Sequence, residues 1–410
     1  MNPQPNLLER RRVYWQALAL LLVLAVMLAE FRFMSGAPML SDESFNFRQI
    51  SRFINRDFSM EPGMNVIPGY HALVSLALIV FQKSGVFSAR FVSFGISVLS
   101  VAVFYLLTGK IYSRPSLTRT LQYTFLPILF PFFSLVYTDI LALLLVLAAF
   151  YLVLWKRYTL AGLVGILSVL ARTNNIAWLV FLYGFVYYEN YGLEWRSFPR
   201  SLRHTWIYWL GFGLFLGFLF VNKGIAISDK SVQPLFKFQT GNIFFLLFLF
   251  FWLFLPMNMA NFLRIQRFVR EQSWIVLEIL LLYLVYMFTF SSTHPYNQAF
   301  PDYYLRNKLL ITVTSEPGLK SLFFLPIAYG LLSLCVIALN EKRFYWLYLF
   351  TLLSLVPFWL IEPRYYFVPL SLFILFKKER SPWVEWITVG VFVALSIVLV
   401  YYMRSETIFI

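Results

Sequence analysis

Residues 14–33 read YWQALALLLVLAVMLAEFRF, directly after the basic triplet Arg10, Arg11 and Arg12. As a helix, about 20 mostly apolar residues match the roughly 30 Å hydrocarbon thickness of a bilayer. Small residues Ser35, Gly36 and Ala37 follow, a layout shared by cleaved signal peptides and retained anchors. The many further apolar runs downstream favour the anchor. The basic flank puts the N-terminal side in the cytoplasm.

Such runs recur near 87–108, 121–137, 140–155, 160–171, 176–188, 206–222, 240–257, 274–290, 321–339, 345–361, 365–376 and 383–402. Across 410 residues, 60% are hydrophobic and 13% charged, with a mean hydropathy of +0.71. A soluble domain carries about 25% charged residues, so soluble enzymes and nucleic-acid modules are excluded. The net charge of +15 then belongs to cytoplasmic loops. Residues 70–81 form an apolar run of only about a dozen residues, which suits an interfacial or re-entrant helix. With that run kept on the outer side, every inner loop is net positive, from Lys110, Arg114 and Arg119 through to Lys377, Lys378 and Arg380. The expected fold is an all-α polytopic membrane protein of about 13 spans. It forms one domain over 1–410, with a first outer loop at 35–86, core spans at 87–290, an outer loop at 291–320 and C-terminal spans at 321–402. Gly213 and Gly217 offer close helix packing. The single cysteine, Cys335, leaves no intramolecular disulfide to form.

In this topology all five aspartates, Asp42, Asp57, Asp139, Asp229 and Asp302, fall at or beyond the outer ends of helices. Asp42 and Glu43 follow the first span closely, where partial desolvation suits a general base. Arg48, Arg52 and Arg56 come at four-residue spacing, one face of a short helix. An amphipathic helix on anionic headgroups explains that loop as well as an enzyme that activates a hydroxyl beside a lipid phosphate. Asp139 at a tight interhelical turn reads as a cap or as a second acidic site. Arg172 and Asn174 lie between two short apolar runs, where an ionisable group is costly. The same side holds His294, Asp302, Arg306 and Lys308, and then Glu362, Arg364 and Tyr365. The three histidines, His71, His204 and His294, are too scattered for a histidine metal site, so no metal and no cofactor is expected.

These residues resemble the DIE2/ALG10 family, the α-1,2-glucosyltransferases of lipid-linked oligosaccharide assembly within the GT-C superfamily. The resemblance rests on Asp42, Glu43, Gln49, Arg52, Phe58, Ser59, Pro68, Gly69 and Tyr70 in the first loop. It continues through Arg90, Phe91 and Val92; Tyr137, Thr138 and Asp139; and Arg172, Thr173, Asn174, Asn175, Ile176 and Trp178. Val221, Asn222, Gly224, Ile225, Ile227, Asp229, Lys230 and Ser231 follow, then Arg364 and Tyr365. After His294, Pro295 and Tyr296 the chain departs from the family's polar motif and reads NQAFPDYY over 297–304. That departure predicts a change of substrate rather than loss of the reaction, in a distant member of the family.

The resemblance implies a membrane glycosyltransferase that uses a polyprenyl- or dolichyl-phosphate sugar and a lipid-linked saccharide acceptor, with inversion. Asp42 is the expected base, with Glu43 beside it. Asp139 and Asp229 form the acceptor-side acidic site. Arg172, Arg364, Arg306 and Lys308 are candidates for the donor phosphate. His294, Asn174, Asp302 and Tyr365 complete the candidate site. The active site then faces the endoplasmic reticulum lumen, or the periplasm if the chain is bacterial. The competing expectation is a lipid-linked-sugar flippase or other transporter, which would place its ionisable residues near the bilayer midplane.

Overall fold

The structure, a computed structural model, describes residues 7–112, 114–227, 230, 234 and 237–410, with side chains from Tyr14 on. Among the described residues it is all-helical, and only two isolated bridges, Tyr304 with Phe409 and Leu339 with Lys377, pair extended backbone. Five helices among the described residues are long and apolar enough to cross a membrane: Tyr14–Ser35, Val86–Tyr112, Trp195–Asn222, Pro317–Val336 and Pro382–Arg404. A sixth span arises if Phe262–Glu271 and Trp274–Thr289, bent by 105°, count as one.

The remaining apolar runs form shorter helices, among them Gly69–Val80, Thr138–Leu154, Tyr158–Ala171 and Gly241–Leu253. Full-length crossings are therefore fewer than hydropathy suggests, for two physical reasons. Proline breaks some runs: 121–137 becomes the short helix Leu117–Thr124 and a 3-10 turn at Phe130–Phe132, because Pro127 and Pro131 cannot continue a helix. That irregular stretch is buried from Tyr123 to Leu143, and protein surroundings are the only place non-helical backbone survives at membrane depth. Other runs are apolar because protein, not lipid, surrounds them. Every residue of Phe367–Phe376 is buried.

The outer shell shows the opposite pattern. Leu214, Leu216, Phe220 and Val221 on Phe198–Asn222 are exposed, as are Leu277, Leu280 and Leu284 on Trp274–Thr289. Apolar surface on this scale requires a lipid solvent. The chain is an integral membrane protein.

Close helix packing does not use Gly213 or Gly217, whose Cβ positions face open space. It uses Gly211 instead, where a Cβ would lie 2.7 Å from Ile166 Cγ1. The approach that matters most for the site is at Gly69. A Cβ there would stand 2.7 Å from the Leu170 carbonyl oxygen, so only glycine lets the first-loop helix Gly69–Val80 rest on the chain two residues before Arg172.

Candidate active site

Asp42 precedes the helix Glu43–Ile54 as its N-cap, yet its side chain makes no capping bond. An N-cap carboxylate ordinarily turns back onto the N–H groups of the first turn. Here Ser41 adopts a positive φ of 51°, and the Asp42 N–H donates to the Tyr137 hydroxyl at 3.0 Å. That hydroxyl donates in turn to the Leu40 carbonyl at 3.0 Å. The backbone is fixed and the carboxylate is left to face a cavity of about 390 Å³. Its side chain stays 51% exposed, and Oδ2 accepts from Arg364 Nη2 at 2.9 Å.

Glu43 lies behind this wall and is fully buried. Arg90, equally buried, grips it through Nε at 2.8 Å and Nη2 at 2.7 Å. Leu40 N–H and Val136 N–H donate to the same carboxylate at 3.1 and 3.0 Å. Arg90 Nη1 also ties down the carbonyls of Met34 and Ala37. Such a fork removes each charge from water while satisfying it, and here it clamps the end of the first span to the segment before Tyr137.

Asp139 sits in the first turn of Thr138–Leu154, so the simple cap reading fails: it pairs with Arg172, whose guanidinium also lies over the Tyr365 ring. Arg364 Nη1 stands 3.9 Å from Asp139 Oδ2. Arg364 belongs to the 3-10 turn Pro363–Tyr366, capped by extended Glu362. Glu362 has no solvent exposure and holds Arg364 through Nε at 3.1 Å and Nη2 at 3.2 Å. It also pairs with Arg306. Burial alone would raise the Glu362 carboxyl, but the guanidinia of Arg306 and then Arg364 hold it down at about 2.

Asp42, Asp139, Arg172, Arg306, Arg364 and Tyr365 therefore line one cavity, together with Glu362. Three carboxylates balance three guanidinia there. Lys308 and Asp302 stay outside it, 65% and 98% exposed and 3.9 Å apart. His294 is buried with Nδ1 accepting from the Tyr296 N–H, and its ring lies against Trp359. Neither His294 nor Asn174 lines the cavity. Asp229 lies outside the described residues. No cluster of three or more His, Cys, Asp or Glu suited to a metal occurs among the described residues.

Sequence reasoning named Glu362 and Arg90 without giving either a place in the site, and it missed Phe409. Glu362 had a readable signal, a lone acid between apolar Ile361 and Pro363. Phe409 had none. The carbonyl of this residue accepts from Leu305 N–H and its N–H donates to the Tyr303 carbonyl, which brings its ring into the cavity wall beside Tyr137.

An all-helical membrane fold with a charge-lined cavity leaves the chemistry open, and comparisons with known proteins supply the class. The DIE2/ALG10 family model matches residues 37–197 and 185–375. The chain belongs to the DIE2/ALG10 family, and it is a glycosyltransferase. Relatives named Dol-P-Glc:Glc(2)Man(9)GlcNAc(2)-PP-Dol alpha-1,2-glucosyltransferase include one from Homo sapiens, 26% identical over 80% of this chain and 81% of its own length. Another, from Drosophila melanogaster, is 25% identical over 89% of this chain and 90% of its own. A third, from Candida albicans, is 24% identical over 64% of this chain, and the match spans 62% of its own length. No solved structure matches the chain.

Proposed function

We propose that this enzyme transfers glucose from a dolichyl- or polyprenyl-phosphate donor to a hydroxyl of a lipid-linked glycan, with inversion, on a GT-C-type scaffold. The short apolar helices complete about 13 membrane passages, and the site faces the endoplasmic reticulum lumen. The observation that carries the reading is Asp42, a half-exposed carboxylate at the cavity wall, held by one guanidinium with two more beside it. The relatives' names supply the donor and acceptor.

In this reading the acceptor oxygen attacks the anomeric carbon as the bond from that carbon to the phosphate oxygen breaks. The bonding electrons leave with the phosphate, and the acceptor proton passes to Asp42. Arg364 and Arg172 take up the charge that develops on the leaving phosphate. The donor must first compete with Asp42 for Arg364. Donor binding then releases the carboxylate toward the acceptor, so the base becomes free only when there is something to cleave. Asp139 and Glu362 set the positions of the two arginines, while Glu43 and Arg90 hold the backbone under Asp42.

D42N tests this in vesicles supplied with Dol-P-Glc and a panel of lipid-linked glycans, Glc(2)Man(9)GlcNAc(2)-PP-Dol among them. Transfer is expected to fall by about 10²–10⁴ while donor binding persists; wild-type turnover would reject the assignment. Orientation is tested by labelling S116C and D302C, in a chain whose Cys335 is replaced, from each side of sealed vesicles. Opposite accessibility is expected, and same-side labelling would refute the topology.

A further inference from the structure

Phe300 combines a strained backbone with an exposed aromatic side chain at the edge of the site. Its φ is +48°, a region where a bulky side chain is an outlier. Its ring is 73% exposed at the wall of the cavity that holds Asp42. Glycine would relieve the backbone, and a polar residue would suit the exposure.

The strain is held from both sides. Asn307, fully buried, donates through Nδ2 to the Ala299 carbonyl at 2.6 Å and the Tyr296 carbonyl at 2.7 Å. The Phe300 carbonyl accepts from Tyr303 N–H at 3.1 Å and Tyr304 N–H at 2.9 Å. The buried Asn297 side chain bonds both the N–H and the carbonyl of Ile361, next to Glu362. Tyr304 then reaches across 263 residues to Ser41, with its hydroxyl 2.8 Å from Ser41 Oγ. A segment fixed this firmly to both sides of the catalytic cavity presents its exposed aromatic in one place. Backbone strain held in place by its surroundings at a cavity wall is a reason to look for a function there.

We infer that Phe300, with the half-exposed Tyr296 beside it in the wall, is a stacking platform for a pyranose ring of the acceptor glycan. A sugar ring has an apolar C–H face and a polar rim. An aromatic face binds the first while backbone and side-chain polar groups bind the second. The platform rests on the proposed glycosyl transfer for its purpose but not for its existence. It lies in the segment 297–304 that departs from the family motif, so it is also where this chain would set its own acceptor preference.

The test separates the two ideas by reading sugar binding without turnover. Saturation-transfer NMR is run on the full chain in detergent with glucose- and mannose-terminated di- and trisaccharides. Wild type and the D42N chain are expected to give the same signal on the C–H face of one terminal sugar. F300L keeps an apolar side chain that dips into lipid equally well but lacks a ring, and its signal and affinity should drop by about fivefold. F300W should restore them. F300G should bind poorly yet melt no lower than wild type, because it removes the φ strain. No sugar signal from wild type, or F300L equal to wild type, overturns the platform. A wild-type sugar signal that F300L abolishes, in a protein that transfers no glucose, would instead uphold the platform and reject the proposed reaction.

Discussion

Two charge networks stand within a few residues of each other, and they are built differently. On the helix Glu43–Ile54, Arg48 and Arg52 share Glu61 at 2.6 and 2.8 Å, and Arg52 also reaches Asp57 at 3.0 Å. Those arginines are 48% and 32% exposed, so water and salt screen them. In the cavity Arg364 is 14% exposed, Glu362 not at all, and Arg306 7%. Charges removed from water this far cost several kcal/mol each unless every one is answered. The first network holds a loop in shape at little cost. The second is a balance of buried charges that tolerates no unanswered one, and in the proposed transfer it is this balance that the donor phosphate would shift.

The largest effect should come from unbalancing the buried set. E362Q leaves Arg306 and Arg364 without their shared counter-ion and is expected to lower stability by about 3–5 kcal/mol at neutral pH. The pH dependence has a definite sign. The Glu362 carboxyl is held down at about 2, so its contribution is complete above the ordinary carboxylate value and fades as pH falls from about 4 toward 2. Thermal melts in detergent should show the gap between wild type and E362Q closing on acidification. A gap that widens would mean Glu362 is not the ionised partner.

A smaller and more specific effect belongs to the fork of Arg364. R364K keeps the charge but cannot hold Glu362 and Asp42 at once. The Michaelis constant for Dol-P-Glc should rise about tenfold, with a lesser change in turnover. R52K is the matching change on the exposed network and should leave that constant alone. Equal effects from the two would erase the distinction between the networks.

The contrast also explains what was readable from sequence. The stripe at 48, 52 and 56 was found by helical spacing, although the helix ends at Ile54 and Arg56 falls past it with a φ of +61°. The cavity has no such spacing. Asp42 and Arg364 meet across 322 residues, and each was legible from its place at a helix end and from the family resemblance, but not as a partner of the other. Hydropathy recovered the class of fold. It did not separate long spanning helices from short ones, because a buried helix such as Phe367–Phe376 is as apolar as a lipid-facing one. The expected outer loop 291–320 offered Lys308 and Asp302 alongside Arg306, but both are exposed and lie outside the cavity. Sequence distance carries no information about which face of a short turn points inward.

The smallest expected effect sharpens the comparison from the other side. Glu61 accepts from both Arg48 and Arg52, and the hydrogen bond from Arg48, working against desolvation, holds its carboxyl below the usual range. The sign is the same as for Glu362: any stabilisation is present above the ordinary carboxylate value and lost as the pH falls through the lowered one. The size differs because the arginines remain hydrated when the acid is removed. E61Q should keep transfer within about twofold of wild type, with a slight loss of melting temperature that disappears near 1 M salt. The Glu61 N–H also donates to Gln49 Oε1 at 2.6 Å, and this uncharged bond survives the substitution and keeps the loop in place. A salt-resistant loss of activity in E61Q would show that the exposed network orders the wall at Gly63 and Met64, and that the surface charges act on the cavity after all.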